Sequence, residues 1–207
     1  AEIAEALGRN IAVVGDVELF ARVAKAPVVA ITGANGKSTV TSLTGAMCKE
    51  AGMDTAVGGN IGVPVLDLLR SPEPEVYVLE LSSFQLETTT SLNARAATVL
   101  NITADHMDRY ATLDDYSAAK ARIFRGDGVM VLNADDPAVL AMGRPGRGTV
   151  RFGANPPASD IDYGLVPHGG ETWLARGQRL LMPASAVPLP GRHNLLNVLA
   201  AMALAET

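Results

Sequence analysis

VVAITGANGKSTVTSL, residues Val28 to Leu43, runs from an apolar stretch through a glycine-rich turn into a helical pattern. VVAI reads as a buried strand, Thr32 to Gly36 as the turn, and the segment from Lys37 to about Ala51 as a helix. Val40, Leu43, Met47 and Ala51 recur at helical spacing and predict an inward stripe, which leaves Lys37 and Ser38 at the helix mouth. Such a turn gathers backbone N–H groups and the positive end of a helix dipole around one point, and this favours a polyphosphate. Lys37 can then reach terminal phosphates, and the Ser38 hydroxyl can take a magnesium position. The general signature GxxxxGK[ST] asks for a glycine where this chain has Ile31; its first glycine is Gly33, two places later. The loop alone does not separate kinases, switches, motors and ligases.

Around the loop, short apolar runs alternate with helical patterns. DTAVGG, VYVLELS, ATVLNIT and GVMVLNAD read as strands; the segments near Val63 to Leu69 and from Leu113 to Arg125 read as helices. Strands apolar throughout and separated by helices imply an α/β fold, a mostly parallel sheet covered on both faces. Residues 1–26 read as two short helices around IAVVGD. After Arg144 the chain turns to Gly, Pro and short strand-like pieces, TVRFGA, ETWLA and QRLLMP, which predict a small antiparallel annex before a last helix, NLLNVLAAMALAE.

Three residues outside the loop carry chemistry. Glu80 lies in the apolar strand VYVLE, where a carboxylate is costly to bury unless it meets a cation or metal; the carboxyl ends of parallel strands line the ligand crevice of open sheets. Asp105, His106 and Asp108 follow the next strand and should emerge at the same sheet edge, where His106 is a plausible ligand or substrate contact. Lys120 sits mid-stripe in TLDDYSAAKARIF, a helix opened by a Thr112–Asp115 capping box, with Leu113, Tyr116, Ile123 and Phe124 on its face. An inward lysine must find an anion, lower its pKa, be covalently changed or snorkel outward. His168, in a Pro-Gly loop, and His193, ahead of the last helix, carry less.

Bulk properties narrow the classes. A formal charge of -5 with no basic-aromatic stripe argues against nucleic acid as a partner. The single Cys48 excludes an internal disulfide and suits a core thiol in a reducing cytoplasm. No run of apolar residues is long enough to span a membrane and no basic apolar leader opens the chain, so a soluble cytoplasmic protein is expected.

Taken together, TGANGKST, GGNIG, LELSSFQLE, NITADHMDRY, YSAAKARIF and GRHNLLNVLAA resemble the ATP-dependent Mur ligases of peptidoglycan synthesis, from about Asp16 to the C-terminus. That family's loop is TGxxGK[ST], which accounts for the shifted Gly33. The resemblance implies ATP activation of a carboxylate to an acyl phosphate, attack by an amino acid's amine, and release of ADP and phosphate. LELSSFQLE points within the family to UDP-N-acetylmuramoyl-L-alanine as the carboxylate and D-glutamate as the amine. Sibling ligases and folylpolyglutamate synthases are the related alternatives; a nucleotide switch or a purely structural α/β domain are the unrelated ones. By resemblance Gly33, Ala34, Asn35, Gly36, Lys37, Ser38 and Thr39 hold the ATP phosphates, and Ser38, Glu80 and His106 serve Mg2+. Lys120 is the counterpart of a carbamylated lysine that also binds magnesium or positions an acidic group; Gly59, Asn60 and His106 touch the muramoyl substrate, and Asn194 and Asn197 lie near the adenine. Residues 1–15 are then the tail of a preceding N-terminal domain and 16–207 the central ATP-binding domain, with the C-terminal domain absent. The expected protein is a monomer, and this piece alone is expected not to complete ligation.

Overall fold

A computed structural model describes residues 2–70, 72–104 and 108–207 of the chain. Two short helices come first, α1 (Glu2–Gly8) and α2 (Asp16–Val23), as the sequence suggests. Strand β1 (Val28–Thr32) feeds α3 (Lys37–Glu50), and β2 (Thr55–Gly59) follows. The expected helix near Val63 is only a 3-10 turn, Val65–Leu68, set by Pro64 before it. Strand β3 (Val76–Glu80) leads into α4 (Ser83–Glu87), a helix the hydrophobic pattern did not announce. Next come β4 (Ala96–Val99), α5 (Leu113–Ala121) with a 3-10 extension at Arg122–Phe124, and β5 (Val129–Asn133). A short α6 (Pro137–Leu140), capped by Asp136, precedes β6 (Thr149–Phe152). The chain ends with β7 (Tyr163–His168), β8 (Glu171–Arg176), β9 (Arg179–Pro183) and α7 (Arg192–Ala205).

All the strands join one sheet in the order β2-β3-β1-β4-β5-β6-β7-β8-β9, parallel from β2 to β7 and antiparallel from β7 to β9. The expected antiparallel annex is therefore present but continuous with the main sheet. TVRFGA is a correction: as β6 it pairs parallel with β5 and belongs to the main sheet. The annex gains instead β7, which the sequence reading missed and in which His168 packs edge-on against Trp173.

Alternation along the strands builds two cores. Ala30, Tyr77, Leu79, Ala97 and Val99 face α2, α4, α5 and α6; Val29, Ile31, Val78 and Val131 face α3 and α7. Every residue of β1 and β3 is buried, as central parallel strands require. Each fully buried Ile, Leu or Phe contributes about 1.5–3 kcal/mol. The inward face of α3 is rotated from the predicted stripe. Val40, Thr41, Thr44, Gly45 and Cys48 are buried, while Leu43 and Met47 are half-buried and Ala51 lies exposed beyond the helix. Small residues win because α3 lies close to the sheet: a Cβ at Gly45 would come 2.5 Å from Val57 Cγ2. Cys48 is a buried free thiol whose pKa burial pushes up. Among the described residues no helix is long and apolar enough to cross a membrane.

The topology creates one privileged place. From β1 the chain moves outward to β2, returns to β3 beside β1, and then crosses to β4 on β1's other side. The carboxyl end of β1 is thus a switch point of the kind where open α/β sheets bind ligands.

Candidate active site

At that switch point the phosphate-type loop takes its shape from two glycines. Gly33 has φ 156° and its backbone lies where a Cβ would come 2.9 Å from Leu100 Cβ. Gly36, the residue capping α3, has φ 84°, and a Cβ there would meet Asn197 Oδ1 at 2.6 Å. Both positions demand glycine, one for contact with β4's exit and one for the left-handed turn into the helix. Helix geometry then leaves the first-turn N–H groups of α3 directed at the loop mouth.

Two lysines converge on this loop from different elements. Lys37 Nζ donates to the carbonyls of Gly33 (3.0 Å) and Ala34 (2.9 Å). Lys120, on α5, is only 2% exposed and points inward as its stripe predicts. Its ammonium donates to the Gly33 carbonyl at 3.0 Å and to Thr32 Oγ1 at 3.3 Å, and lies 4.6 Å from the centre of the Tyr116 ring. The capping box between Thr112 and Asp115 that starts α5 is formed, and Tyr116, Ile123 and Phe124 are buried beside the lysine. Leu113 departs from the predicted stripe: it sits in the first turn and is exposed.

Glu80 ends β3 next to β1 and is 1% exposed. Its two oxygens accept from Ser38 Oγ at 2.8 Å and Asn60 Nδ2 at 2.9 Å, so residues distant in sequence meet on one buried carboxylate. Gly59 permits the approach, because with φ 106° its Cα faces the Glu80 carbonyl, where a Cβ would come within 2.4 Å. A cavity of about 210 Å³ opens between these groups, lined by Lys37, Asn60, Tyr116 and Lys120 on one side and by Ser82, Ser83 and Phe84 of the α4 segment on the other. The sequence reading missed the α4 wall. Its signal was legible as S-x-x-Q, since Ser82 and Gln85 form a full capping box. Arg109 braces that wall from outside, paired with Glu87 at 2.5 Å and lying over the Phe84 ring at 4.6 Å. Burial alone would raise Glu87, but the Arg109 guanidinium and the Tyr110 hydroxyl outweigh it and hold the carboxyl low.

On the other side of the loop lies a second cavity of about 190 Å³, lined by Asn35, Gly36, Leu100, Asn101, Asn133, Phe152, His193, Leu196 and Asn197. Asn197 lines this cavity beside Gly36. Asn194 is not on the wall: it donates to the Pro190 carbonyl at 2.6 Å and accepts from Asn197 Nδ2 at 3.1 Å, orienting Asn197 from behind. His193, discounted in the sequence, lines this cavity from the first turn of α7. Ala34 is buried against β4's exit, and Thr39 is half-buried one turn into α3. His106 and Asp105 lie outside the described residues; Asp108 is exposed. A larger cavity of about 620 Å³ sits at the amino ends of β1, β4 and β5, remote from these groups. Among the described residues no cluster of three or more His, Cys, Asp or Glu side chains is placed to hold a metal ion.

The arrangement, a parallel strand that runs through a glycine-rich loop into a helix with two lysines and a buried carboxylate at the loop mouth, defines a P-loop-type α/β class. Residues 31–205 match the family model described as the Mur ligase middle domain, and the chain belongs to that family. Among its relatives, UDP-N-acetylmuramoylalanine--D-glutamate ligase of Nitrosococcus oceani is 58% identical over 204 residues, covering 99% of this chain and 45% of that protein. The protein of the same name from Methylobacillus flagellatus is also 58% identical, over 98% of this chain and 45% of its own length. The chain thus spans about half the length of the curated relatives it matches. Among solved structures, UDP-N-acetylmuramoyl-L-alanyl-D-glutamate--2,6-diaminopimelate ligase superposes with a TM-score of 0.73 at 24% identity, over 89% of this chain and 44% of that one. A pseudomurein peptide ligase type C from Methanothermus fervidus gives 0.69 at 20% identity, over 99% and 51%. These two likenesses carry the fold.

Proposed function

We propose that the chain is the central ATP-binding domain, residues 16–207, of a cytoplasmic ligase that joins D-glutamate to UDP-N-acetylmuramoyl-L-alanine through an acyl phosphate, with residues 1–15 leading in from an N-terminal domain. The observation that carries the reading is the meeting of Lys37, Lys120 and, through Ser38 and Asn60, Glu80 around one cavity at the mouth of the loop. The identity to D-glutamate ligases supports the choice of substrates.

The residues fit the groups the reaction needs. Ser38 Oγ and the Glu80 carboxylate are adjacent hard oxygen donors, 2.8 Å apart, a partial set of the kind Mg2+ accepts when phosphates complete its shell. Magnesium, when bound, supplies positive charge between two anions that must approach each other. Lys37 leaves the carbonyls of Gly33 and Ala34 and turns its ammonium to the transferred phosphoryl group, offsetting charge there. Asn60 gives one N–H to Glu80 and keeps its amide oxygen and second N–H for the muramoyl carboxylate. Gly59 lets Asn60 sit that close to β3, and His106 serves the metal and the substrate. Addition of carbon dioxide to the neutral Lys120 amine, with loss of one proton, would replace its cation with a carbamate anion that would help hold magnesium or orient an acidic group. The Asn194–Asn197 pair presents one amide to the adenine in the second cavity. The preceding and following domains bring the uridine nucleotide and the amino acid, so this chain alone binds nucleotide weakly and does not complete ligation.

The test is phosphate release by the full-length protein given ATP, UDP-N-acetylmuramoyl-L-alanine and single amino acids. Release with D-glutamate alone is expected. Release with a different amino acid would move the protein to a sibling activity, and hydrolysis independent of any carboxylate acceptor would make it a switch.

A further inference from the structure

The segment after β4, NITADHMDRY, meets the loop through its first residue, Asn101. The Asn101 side chain pairs with both backbone groups of Asn35 at the loop's tip. The Asn35 N–H donates to Asn101 Oδ1 at 2.8 Å, and Asn101 Nδ2 donates to the Asn35 carbonyl at 3.0 Å. Behind it, the Ala34 N–H donates to the Asn101 carbonyl at 3.0 Å, and Asn35 Nδ2 reaches Thr103 Oγ1 at 3.4 Å. Leu100, one residue earlier, is the neighbour that forbids a Cβ at Gly33. A primary amide reproduces the donor and acceptor of a backbone peptide, so here it extends to Asn35 the β1–β4 pairing that the backbone itself carries as far as Ala34.

Resting on the nucleotide reading above, we propose that Asn101 is a positioning residue for phosphate binding: it holds the N–H groups of Ala34 and Asn35 against β4's exit and so fixes the tip of the loop, leaving the first-turn N–H groups of α3, from Lys37 onward, to face the phosphates before a nucleotide arrives. Its contribution is to preorganisation, which converts to affinity by removing the cost of ordering the loop on binding. The two bonds made by Asn101 lie at the loop tip, partly open to water. Their loss frees a short turn while leaving both hydrophobic cores in place, so affinity changes with little change in fold stability.

The test compares the parent chain with Asn101→Ala and Asn101→Asp by titration with magnesium-ADP and with adenosine. Asn101→Asp is near-isosteric; it keeps the acceptor for the Asn35 N–H and replaces the donor with an oxygen facing the Asn35 carbonyl. Both variants are expected to weaken ADP binding by roughly tenfold, the equivalent of one or two modest hydrogen bonds. Adenosine affinity and the thermal midpoint should stay nearly unchanged. Equal ADP affinity in parent and variants overturns the proposal, as does an equal loss for ADP and adenosine, which would mark a general structural role. Ligand-free amide exchange separates this from failure of the nucleotide reading. The Asn35 amide should exchange faster in Asn101→Ala than in Asn101→Asp and the parent, with amides in the middle of α3 unchanged. Equal rates at Asn35 in all three would refute the clamp even if nucleotide binding were found, and a parent that binds no nucleotide would refute the function while leaving the exchange result to judge the clamp.

Discussion

Replacing Glu18 with glutamine probes how α2 is fastened to the chain that forms the site wall. The Glu18 carboxylate is 1% exposed. One oxygen accepts from the N–H groups of Thr90 at 2.7 Å and Ser91 at 2.9 Å; the other accepts from Ser91 Oγ at 2.7 Å and Arg22 Nε at 2.9 Å. The Ser91 hydroxyl and the Thr90 N–H, outweighing burial, hold the carboxyl far below the usual carboxylate range. Glutamine keeps one acceptor oxygen and turns an amide NH2 toward the other pair of donors, so two charge-assisted bonds of about 1.5–3 kcal/mol each are lost. Water reaching the exposed Thr90 and Ser91 recovers part of this, leaving a net cost of about 2–3 kcal/mol, or about 4–12 °C in midpoint for a domain of this size. Because the folded pKa is depressed, the stabilisation is complete above the unfolded-state value near about 4.3 and drains away as pH falls below it, by up to about 1.4 kcal/mol per unit. Urea unfolding of parent and Glu18→Gln at pH 7, 4 and 3 should therefore show a gap that is widest at neutral pH and narrows in acid. A gap that stays constant across that range, or is below about 0.5 kcal/mol at pH 7, would refute the reasoning.

At the loop, Gly36→Ala forces an L side chain into φ 84° and toward Asn197, a strain of about 1–2 kcal/mol; ATP titration should show at least a tenfold loss, and unchanged affinity would count against the loop geometry. Lys120→Met removes a buried cation but keeps an apolar stem of similar length. Folding stability should fall by about 1–3 kcal/mol, because the Gly33 carbonyl and Thr32 Oγ1 lose a buried donor, while phosphate release by the full-length protein is lost; retained turnover would remove Lys120 from the site. A thermal-stability cycle of Lys37→Met and Lys120→Met should be non-additive, because both ammonium groups donate to the Gly33 carbonyl; additivity within about 0.5 kcal/mol would show that the two groups do not sense each other.

What could be read in the sequence was whatever rests on local pattern. Buried strands such as VVAIT and VYVLE, the Gly36–Lys37 junction and the inward Lys120 all follow from periodicity and steric rules acting within a few residues. The misplaced features depend on distance in space. The stripe on α3 shifted because Gly45 lets the helix approach Val57, and β6 joined the parallel sheet because β5 offered a free edge. The wall formed by Ser82, Ser83 and Phe84 was missed because a five-residue helix has too few turns to show a period. His193 and Asn101 were passed over because one shares a cavity wall with Gly36 and the other bonds Asn35 across the loop, juxtapositions that no spacing reveals.

The Gly33 carbonyl is where the site's electrostatics concentrate. It accepts from Lys37 and from Lys120, each at 3.0 Å, and thus brings two ammonium groups to within roughly 6 Å of each other at most. At an effective dielectric near 20, two like charges at that separation repel by about 3 kcal/mol. The carbonyl dipole, Ala34's carbonyl, the Tyr116 ring and the Glu80 carboxylate, whose neutral partners Ser38 and Asn60 leave its charge in place, each offset part of this. A polyphosphate at the loop mouth, or loss of the positive charge on Lys120, removes the same repulsion and releases Lys37 from its own loop. An anion arriving here therefore gains more than a single lysine contact would give. On the proposed reading, Lys37 is the cation that a polyphosphate would meet, and a carbamate on Lys120 would remove the repulsion that holds it back.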